Sequence, residues 1–184
     1  SLALWLPASQ AQTCIQPGPL AQTYAVQASS HPPDDGFGIN RRVHSYQFTV
    51  SQSAKLCSIG YEAPATPPVS YTFKLYNCNS GVPVPVPGAV NVTPGSFFGP
   101  GIQYTPISPA WPLLAGTCYE LRRSVPAASF PVQRQGRRLD NETSYPINAV
   151  PAITILGTKS NNPSSGTKIT NNALPHIDFG TRRP

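Results

Sequence analysis

The chain has 184 residues, of which 39% are hydrophobic and only 11% are charged, and its net charge is +6. The length fits one domain, and the seven Phe and eight Tyr provide apolar surface for a core, which excludes an intrinsically disordered chain. The arginines are scattered as pairs and do not gather between exposed aromatic residues on one element, so we expect no nucleic acid partner. These pairs are Arg41/Arg42, Arg122/Arg123, Arg137/Arg138 and Arg182/Arg183.

The 23 prolines and 14 glycines separate short apolar segments without forming a repeat. Within those segments apolar and polar residues alternate with a period of two, and long helical periodicity is missing, so the sequence predicts an all-β chain. In the fourth candidate strand, alternation turns Tyr71, Phe73 and Leu75 inward. The candidate strands are 22–28, 44–50, 55–61, 70–76, 118–123 and 150–157.

Residues 1–21 are predicted to form an N-terminal arm. Its apolar start is typical of the end of a signal-peptide hydrophobic region, and the small residues of Ser9-Gln10-Ala11 suit signal peptidase. The arm is therefore interpreted as a signal-peptide remnant or as a donor strand for another subunit. No other apolar run is long enough to span a bilayer, so we expect no membrane span. The apolar residues of the arm are Leu2, Leu4, Trp5 and Leu6.

An acidic turn follows the first candidate strand. Asp34 and Asp35 lie in a Pro-Asp-Asp-Gly sequence, where two carboxylates and nearby carbonyl oxygens form a candidate calcium site. Adjacent carboxylates before a glycine more often make a turn. We therefore predict no bound metal and no cofactor, and we keep Asp34 and Asp35 as the calcium alternative.

The four cysteines lack the close spacing and the histidine partners of a zinc site, so we predict two disulfides and an oxidising compartment. Four cysteines allow three pairings. Alternation turns Cys57 inward, whereas Cys118 faces outward and Cys78 follows an outward residue. Because cysteines on the same face pair more easily, we predict the pairs Cys78 with Cys118 and Cys14 with Cys57.

Residues 77–112 are predicted to form a long proline-rich connection. Valine and proline alternate over 82–87, and proline donates no ladder hydrogen bond, so this run is expected to be polyproline II or a sheet edge. Large aromatic residues in the same stretch are candidates for stacking on a sugar, although such residues more often plug the open end of a sandwich. They are Phe97, Phe98, Tyr104 and Trp111.

Residues 158–184 are predicted to form a C-terminal arm, which leaves 22–157 as the β-sandwich domain. The arm opens with a Ser-, Asn- and Gly-rich linker and then contains one apolar stretch, 174–179, that suits an added strand. Ile177 and Phe179 are therefore assigned, together with the apolar residues of the N-terminal arm, to an assembly surface.

Between about residues 45 and 157 the sequence resembles bacterial extracellular β-sandwich modules that are similar to jelly-roll carbohydrate-binding domains. A Y-x-x-x-L-Y strand precedes a loop and an L-x-A-G-T-x-Y turn and strand. The resemblance implies a jelly-roll fold and an extracellular setting, and it implies no reaction. The matching segments are Tyr46-Gln47-Phe48-Thr49-Val50, Leu56-Cys57-Ser58-Ile59-Gly60-Tyr61, Tyr71-Thr72-Phe73-Lys74-Leu75-Tyr76 and Trp111-Pro112-Leu113-Leu114-Ala115-Gly116-Thr117-Cys118-Tyr119-Glu120-Leu121.

Catalytic motifs are missing from the sequence. It has no G-x-S-x-G nucleophile elbow, and its histidines, His31, His44 and His176, are far apart. We therefore expect a protein without enzymatic activity. The expected function is that of a secreted structural subunit at the cell surface, which forms a homo-oligomer or filament by exchange of its terminal strands. The alternatives are a carbohydrate-binding module with a polysaccharide partner and, third, a basic jelly roll of the viral capsid type.

Overall fold

The computed structural model describes an all-β molecule in which every regular element of the described ranges is a strand. The strands are β1 (Val43–Val50), β2 (Ala54–Tyr61), β3 (Tyr71–Asn77), β4 (Val84–Val92), β5 (Gln103–Leu113), β6 (Cys118–Ser124), β7 (Gly136–Arg138), β8 (Ile147–Ala149), β9 (Ile153–Asn162), β10 (Gly166–Thr170), β11 (Ala173–Pro175) and β12 (Ile177–Arg182). The described residues are 13–15, 43–61, 71–81, 84–92, 103–124, 136–138, 146–149, 152–162, 166–170, 173–175 and 177–184.

Two antiparallel sheets make up most of the structure. The large sheet has seven strands in the order β10-β9-β1-β6-β3-β4, with β8 also paired to β9. The small sheet has three strands in the order β12-β2-β5, and β7 and β11 form a separate two-stranded ribbon. Sheets built from distant parts of the chain bury one face each against the other, which gives a β-sandwich-like arrangement.

The core lies between the two sheets. The ring of Phe48 from the large sheet stacks on that of Phe179 from the small sheet, with 4.8 Å between centroids. The predicted inward residues of β3, Tyr71, Phe73 and Leu75, are at most 1% exposed, which confirms their orientation. Each such side chain stabilises the fold by roughly 1.5–3 kcal/mol relative to exposure. The other core residues are Val50, Ala54, Leu56, Ile59, Val92, Ile107, Trp111, Leu113, Tyr119, Leu121, Ile153 and Ile155.

The predicted strands 44–50, 55–61, 70–76 and 118–123 coincide with β1, β2, β3 and β6 to within one residue at each end. The last predicted strand, 150–157, overlaps β9, but β9 begins at Ile153 and continues to Asn162. The predicted strand 22–28 lies outside the described residues. Period-two alternation therefore located the strands that have one buried face.

The sequence did not predict β4 and β5, because both occupy the stretch expected to be a long connection. β4 contains Pro85 and Pro87, and it forms one edge of the large sheet, so the edge alternative for the valine and proline run is the one observed. β5 contains Pro106, Pro109 and Pro112 and lies at one end of the small sheet. Proline is tolerated at these positions because an edge strand needs ladder donors on one side only.

The C-terminal residues belong to this chain's own fold. β12 pairs with β2 along its whole length, and Phe179 is 0% exposed in the core. The expected domain boundary at residue 157 falls inside β9, so part of the predicted C-terminal arm is integral to both sheets. Phe179 is consequently a core residue, and its assignment to an assembly surface was wrong. Its burial needs a partner sheet, which this chain itself supplies.

Both predicted disulfides are present, Cys14–Cys57 and Cys78–Cys118. The inward orientation predicted for Cys57 was wrong, because Cys57 is skipped in the register with both neighbouring strands and forms a bulge. The core side chains of β2 are instead Leu56 and Ile59. The bridges close chain separations of 43 and 40 residues, which corresponds to about 4 kcal/mol each on the chain-entropy model.

Gly180 allows the first disulfide to cross the small sheet. Ile15 and Thr181 exchange both backbone hydrogen bonds, at 2.6 and 3.2 Å, so the N-terminal segment continues the sheet beyond β12. Cys14 must therefore reach across β12 to bond Cys57 on β2. A Cβ atom at Gly180 would lie 2.2 Å from Ser58 Oγ and 2.9 Å from Cys14 Sγ, so only glycine leaves room for the bridge.

Candidate functional site

The outer face of the large sheet carries a polar cluster. Tyr119 and Leu121 of β6 point into the core, so Glu120 and Arg122 lie on the opposite face. Glu120 is opposite Gln47 of β1 and Tyr76 of β3 in the sheet register. Arg122 is opposite Lys74 of β3. The residues Gln47, Lys74, Tyr76, Glu120 and Arg122, called here the outer-face patch, therefore lie side by side on three central strands.

Glu120 is the centre of the outer-face patch. Its side chain is only 1% exposed, and Oε1 accepts hydrogen bonds from Arg122 Nη2 at 2.7 Å and from Arg122 Nε at 3.0 Å. Its other oxygen, Oε2, accepts a hydrogen bond from the amide of Gln47 at 3.2 Å. Hydrogen bonds from charged donors are short and strong, so the carboxylate holds the guanidinium in one orientation.

Arg122 is fixed from a second side by an aromatic ring. The guanidinium carbon lies 4.1 Å from the centroid of the Tyr76 ring, within the range of a cation–π contact. The Arg122 side chain nevertheless remains 30% exposed. A cation that is held by a carboxylate and a ring, and still reaches solvent, is preorganised to bind an anionic group.

Small and polar residues surround the outer-face patch. Arg122 is opposite Ser45 in β1, and Lys74 is opposite Ala89 in β4. At the end of β3, Thr72 donates a hydrogen bond of 3.1 Å to the side-chain carbonyl of Asn91. The described neighbours of Lys74 and Arg122 are therefore small or polar, with Ser45 itself buried, and both cations reach solvent.

The outer face of the small sheet is organised differently. Phe179 points into the core, so the neighbouring Asp178 lies on the outer face, where it is 0% exposed. Tyr104 Oη donates a hydrogen bond to Asp178 Oδ2. Gly60 lies between these two residues in the register, and its lack of a side chain leaves space for the tyrosine to reach across the strand. Asp178 is therefore shielded from solvent, and Tyr104, which is partly buried, links β5 to β12 across β2.

Two of the four candidate sugar-stacking aromatics, Tyr104 and Trp111, lie in the described residues. Trp111 is 6% exposed and belongs to the core, where its indole lies against Gly88 of β4. Trp111 is therefore a core residue, and its buried ring is not available to stack on a sugar. Tyr104 is bonded through its hydroxyl to Asp178. Phe97 and Phe98 lie outside the described residues.

Other predicted site residues are also outside the described ranges. These are the calcium candidates Asp34 and Asp35 and the N-terminal arm residues Leu2, Leu4, Trp5 and Leu6. Ile177 is the first residue of β12 and pairs with Tyr61 of β2. Among the residues with described placement, no group of three or more His, Cys, Asp or Glu side chains is arranged to hold a metal ion.

The lateral edges of the molecule differ in their capacity to pair with another strand. β4 and β5 carry five prolines between them, and they contact each other at one side of the two sheets. At the opposite end of the large sheet, β10 contains no proline and pairs only with β9 within the described part of the chain. A proline-free terminal strand presents backbone donors and acceptors to which a further strand can add.

Sequence reasoning did not identify the outer-face patch. The available signal was the alternation in Cys118-Tyr119-Glu120-Leu121-Arg122, where an acidic and a basic residue share the polar face of a strand. The cross-strand neighbours Gln47, Lys74 and Tyr76 could be added only once the register of β1, β6 and β3 was known.

The part of the chain that the structure describes includes no helix long and apolar enough to cross a membrane. Comparison with protein-family models, curated proteins and solved structures finds no match to this chain.

Proposed function

We propose that this chain is a secreted structural subunit with a jelly-roll β-sandwich fold, and that it assembles at the cell surface into a homo-oligomer or filament. The observation that carries the proposal is the asymmetry of the sheet edges. Prolines on β4 and β5 oppose strand addition on one side, and the proline-free β10 permits it on the other. If only the β10 edge accepts a further strand, subunits add to the assembly at that edge alone.

Two disulfides support an extracellular setting, because such bridges persist in oxidising compartments. The N-terminal residues Leu2, Leu4, Trp5 and Leu6 supply an apolar segment that suits a donor strand. Burying several such side chains contributes roughly 1.5–3 kcal/mol each, which offsets the entropy cost of ordering a short arm. The C-terminal segment is no longer a donor in this proposal, since β12 is part of its own sheet.

Deletion of residues 1–11 tests the donor strand and retains Cys14 for its disulfide. We expect the full chain to assemble in a concentration-dependent way, and the shortened chain to be a folded monomer, as measured by light scattering and negative-stain microscopy. The circular dichroism spectrum is the control for folding. A shortened chain that assembles as the full chain does would contradict the proposal.

The acceptor edge is tested by Thr167→Pro and Lys168→Pro, made separately. Successive residues of a strand direct their N–H groups to opposite sides, so one of these two variants removes a donor from the free side of β10. We expect that variant to remain folded and to lose assembly. Ala89→Pro on the proline-bearing β4 is the control, and assembly of that variant is expected to be unchanged. Unimpaired assembly of both β10 variants would refute β10 as the acceptor.

A further inference from the structure

We propose that the outer-face patch is a binding site for a carboxylated polysaccharide, a polyuronate, with Arg122 and Lys74 as the residues that bind its carboxylates. This inference does not depend on the assembly proposal, because it concerns the outer face of the large sheet and not its edge. It also does not use the candidate stacking residue Trp111, which is buried.

The first argument is the position of two like charges. Lys74 and Arg122 are direct cross-strand partners in the register of β3 and β6. Like charges directly opposite each other destabilise a sheet. The single carboxylate of the patch, Glu120, bonds Arg122 and not Lys74 in the described contacts, so the five residues of the patch carry two positive charges and one negative charge. An anion bound between the two cations would relieve the repulsion.

The second argument is the preorganisation of Arg122. Glu120 engages Nε and Nη2 through a single oxygen, and the Tyr76 ring supports the plane of the guanidinium. A guanidinium has five N–H donors in a fixed fork, and two of them are used in the described contacts. The remaining donors can bind a second carboxylate while the side chain stays in place, so little rotamer entropy is lost on binding.

The third argument distinguishes a polysaccharide from other polyanions. A single-stranded nucleic acid would require open aromatic faces for base stacking, but the one aromatic ring of the patch, Tyr76, already has the Arg122 guanidinium on one face. The groups beside the cations are instead the amide of Gln47 and the pair formed by Thr72 and Asn91, which suit sugar hydroxyls. Two cations among amides and hydroxyls fit a chain that has one carboxylate and several hydroxyls in each unit.

The test measures binding of the full chain to sodium alginate, a polyuronate, by isothermal titration calorimetry at low ionic strength. Dextran is the neutral polysaccharide control, and poly-glutamate is the control for a carboxylated polymer without sugar hydroxyls. We expect binding to alginate that weakens with added salt, since the cations are at the surface. Equal binding to dextran, equal binding to poly-glutamate, or no binding to alginate would overturn the proposal.

Three variants locate the site. Lys74→Gln is expected to weaken alginate binding about 5-fold, which is the affinity change expected for the loss of one exposed ion pair. Arg122→Lys keeps the charge but loses the planar fork, and it is expected to weaken binding roughly 10-fold. Lys55→Gln removes a lysine of β2 in the other sheet and is expected to leave affinity within about 2-fold. Circular dichroism verifies that each variant is folded. Unchanged affinity in Lys74→Gln and Arg122→Lys, or equal loss in Lys55→Gln, would refute this site.

Discussion

The two sheets each carry a carboxylate on the outer face, and the surroundings of these carboxylates differ. Asp178 on the small sheet is 0% exposed and accepts a hydrogen bond from a neutral tyrosine, Tyr104. Glu120 on the large sheet is 1% exposed, but its partner Arg122 remains 30% exposed. Asp178 is thus held inside the small sheet, whereas Glu120 orients a cation that still reaches solvent. Burial of an acid therefore does not by itself distinguish a structural site from a binding site, and the exposure of the cation beside Glu120 is the difference that can be tested.

The two sheets also differ in how their disulfides are placed. The segment 13–15 lies against β12 through Ile15, and the Cys14–Cys57 bridge crosses β12 at Gly180. No comparable bridge crosses the large sheet, where Cys78–Cys118 joins the ends of the neighbouring strands β3 and β6 in the described structure. Within the outer-face patch, Lys74 is exposed and Arg122 is 30% exposed.

Gly180→Ala should have the largest effect, because it obstructs the disulfide that crosses the small sheet. The new Cβ would overlap Ser58 Oγ and approach Cys14 Sγ, so we expect incomplete Cys14–Cys57 oxidation and a loss of about 2–5 kcal/mol in the free energy of unfolding. Thiol titration in denaturant and urea unfolding measure both quantities. The control is Gly81→Ala, where nothing lies within 4 Å and only the positive φ of 77° is unfavourable, at about 1–2 kcal/mol. Full oxidation with wild-type stability would contradict this role for Gly180.

Tyr104→Phe should have an intermediate effect, because it removes a hydrogen bond from a buried carboxylate. We expect the free energy of unfolding to fall by about 1–3 kcal/mol, since Asp178 has no access to water to replace the lost donor. Tyr76→Phe is the matched control on the large sheet. It keeps the ring beneath Arg122 and should change stability by less than about 0.5 kcal/mol. Equal losses in the two variants would remove the distinction between the outer faces of the two sheets.

Much of the fold could be predicted from the sequence, because strands with one buried face alternate. Tyr71, Phe73 and Leu75 show this in β3, and the disulfide pairs were also predicted correctly. The reasoning about Cys57 was nevertheless wrong, since a bulge interrupts the alternation of β2. A bulge depends on the neighbouring strands, and a single strand's sequence does not reveal it.

Other features depended on information that local patterns do not contain. The prolines of β4 and β5 indicate a loop until the strands are known to lie at sheet edges. The sequence around Trp111 did not reveal its burial, because the ring packs against Gly88, which is far from it in the sequence. Trp111 was therefore a candidate for sugar stacking. The outer-face patch likewise depends on the register that brings Gln47, Glu120 and Tyr76 together.

Glu120→Gln should have the smallest effect on stability. It tests directly whether Glu120 contributes less to stability than Asp178 does. The amide oxygen still accepts a hydrogen bond, and Arg122 is partly solvated, so we expect a loss of about 1 kcal/mol or less in the free energy of unfolding. Part of this loss should disappear at high salt, because salt screens the ionic interaction of an exposed cation. Urea unfolding of Glu120→Gln and the wild type at low and high ionic strength measures the difference. Glu120 acts by orienting Arg122. In the same variant, the free energy of alginate binding should therefore be weakened by more than the free energy of unfolding. A stability loss larger than that of Tyr104→Phe would instead identify Glu120 as a structural acid equivalent to Asp178.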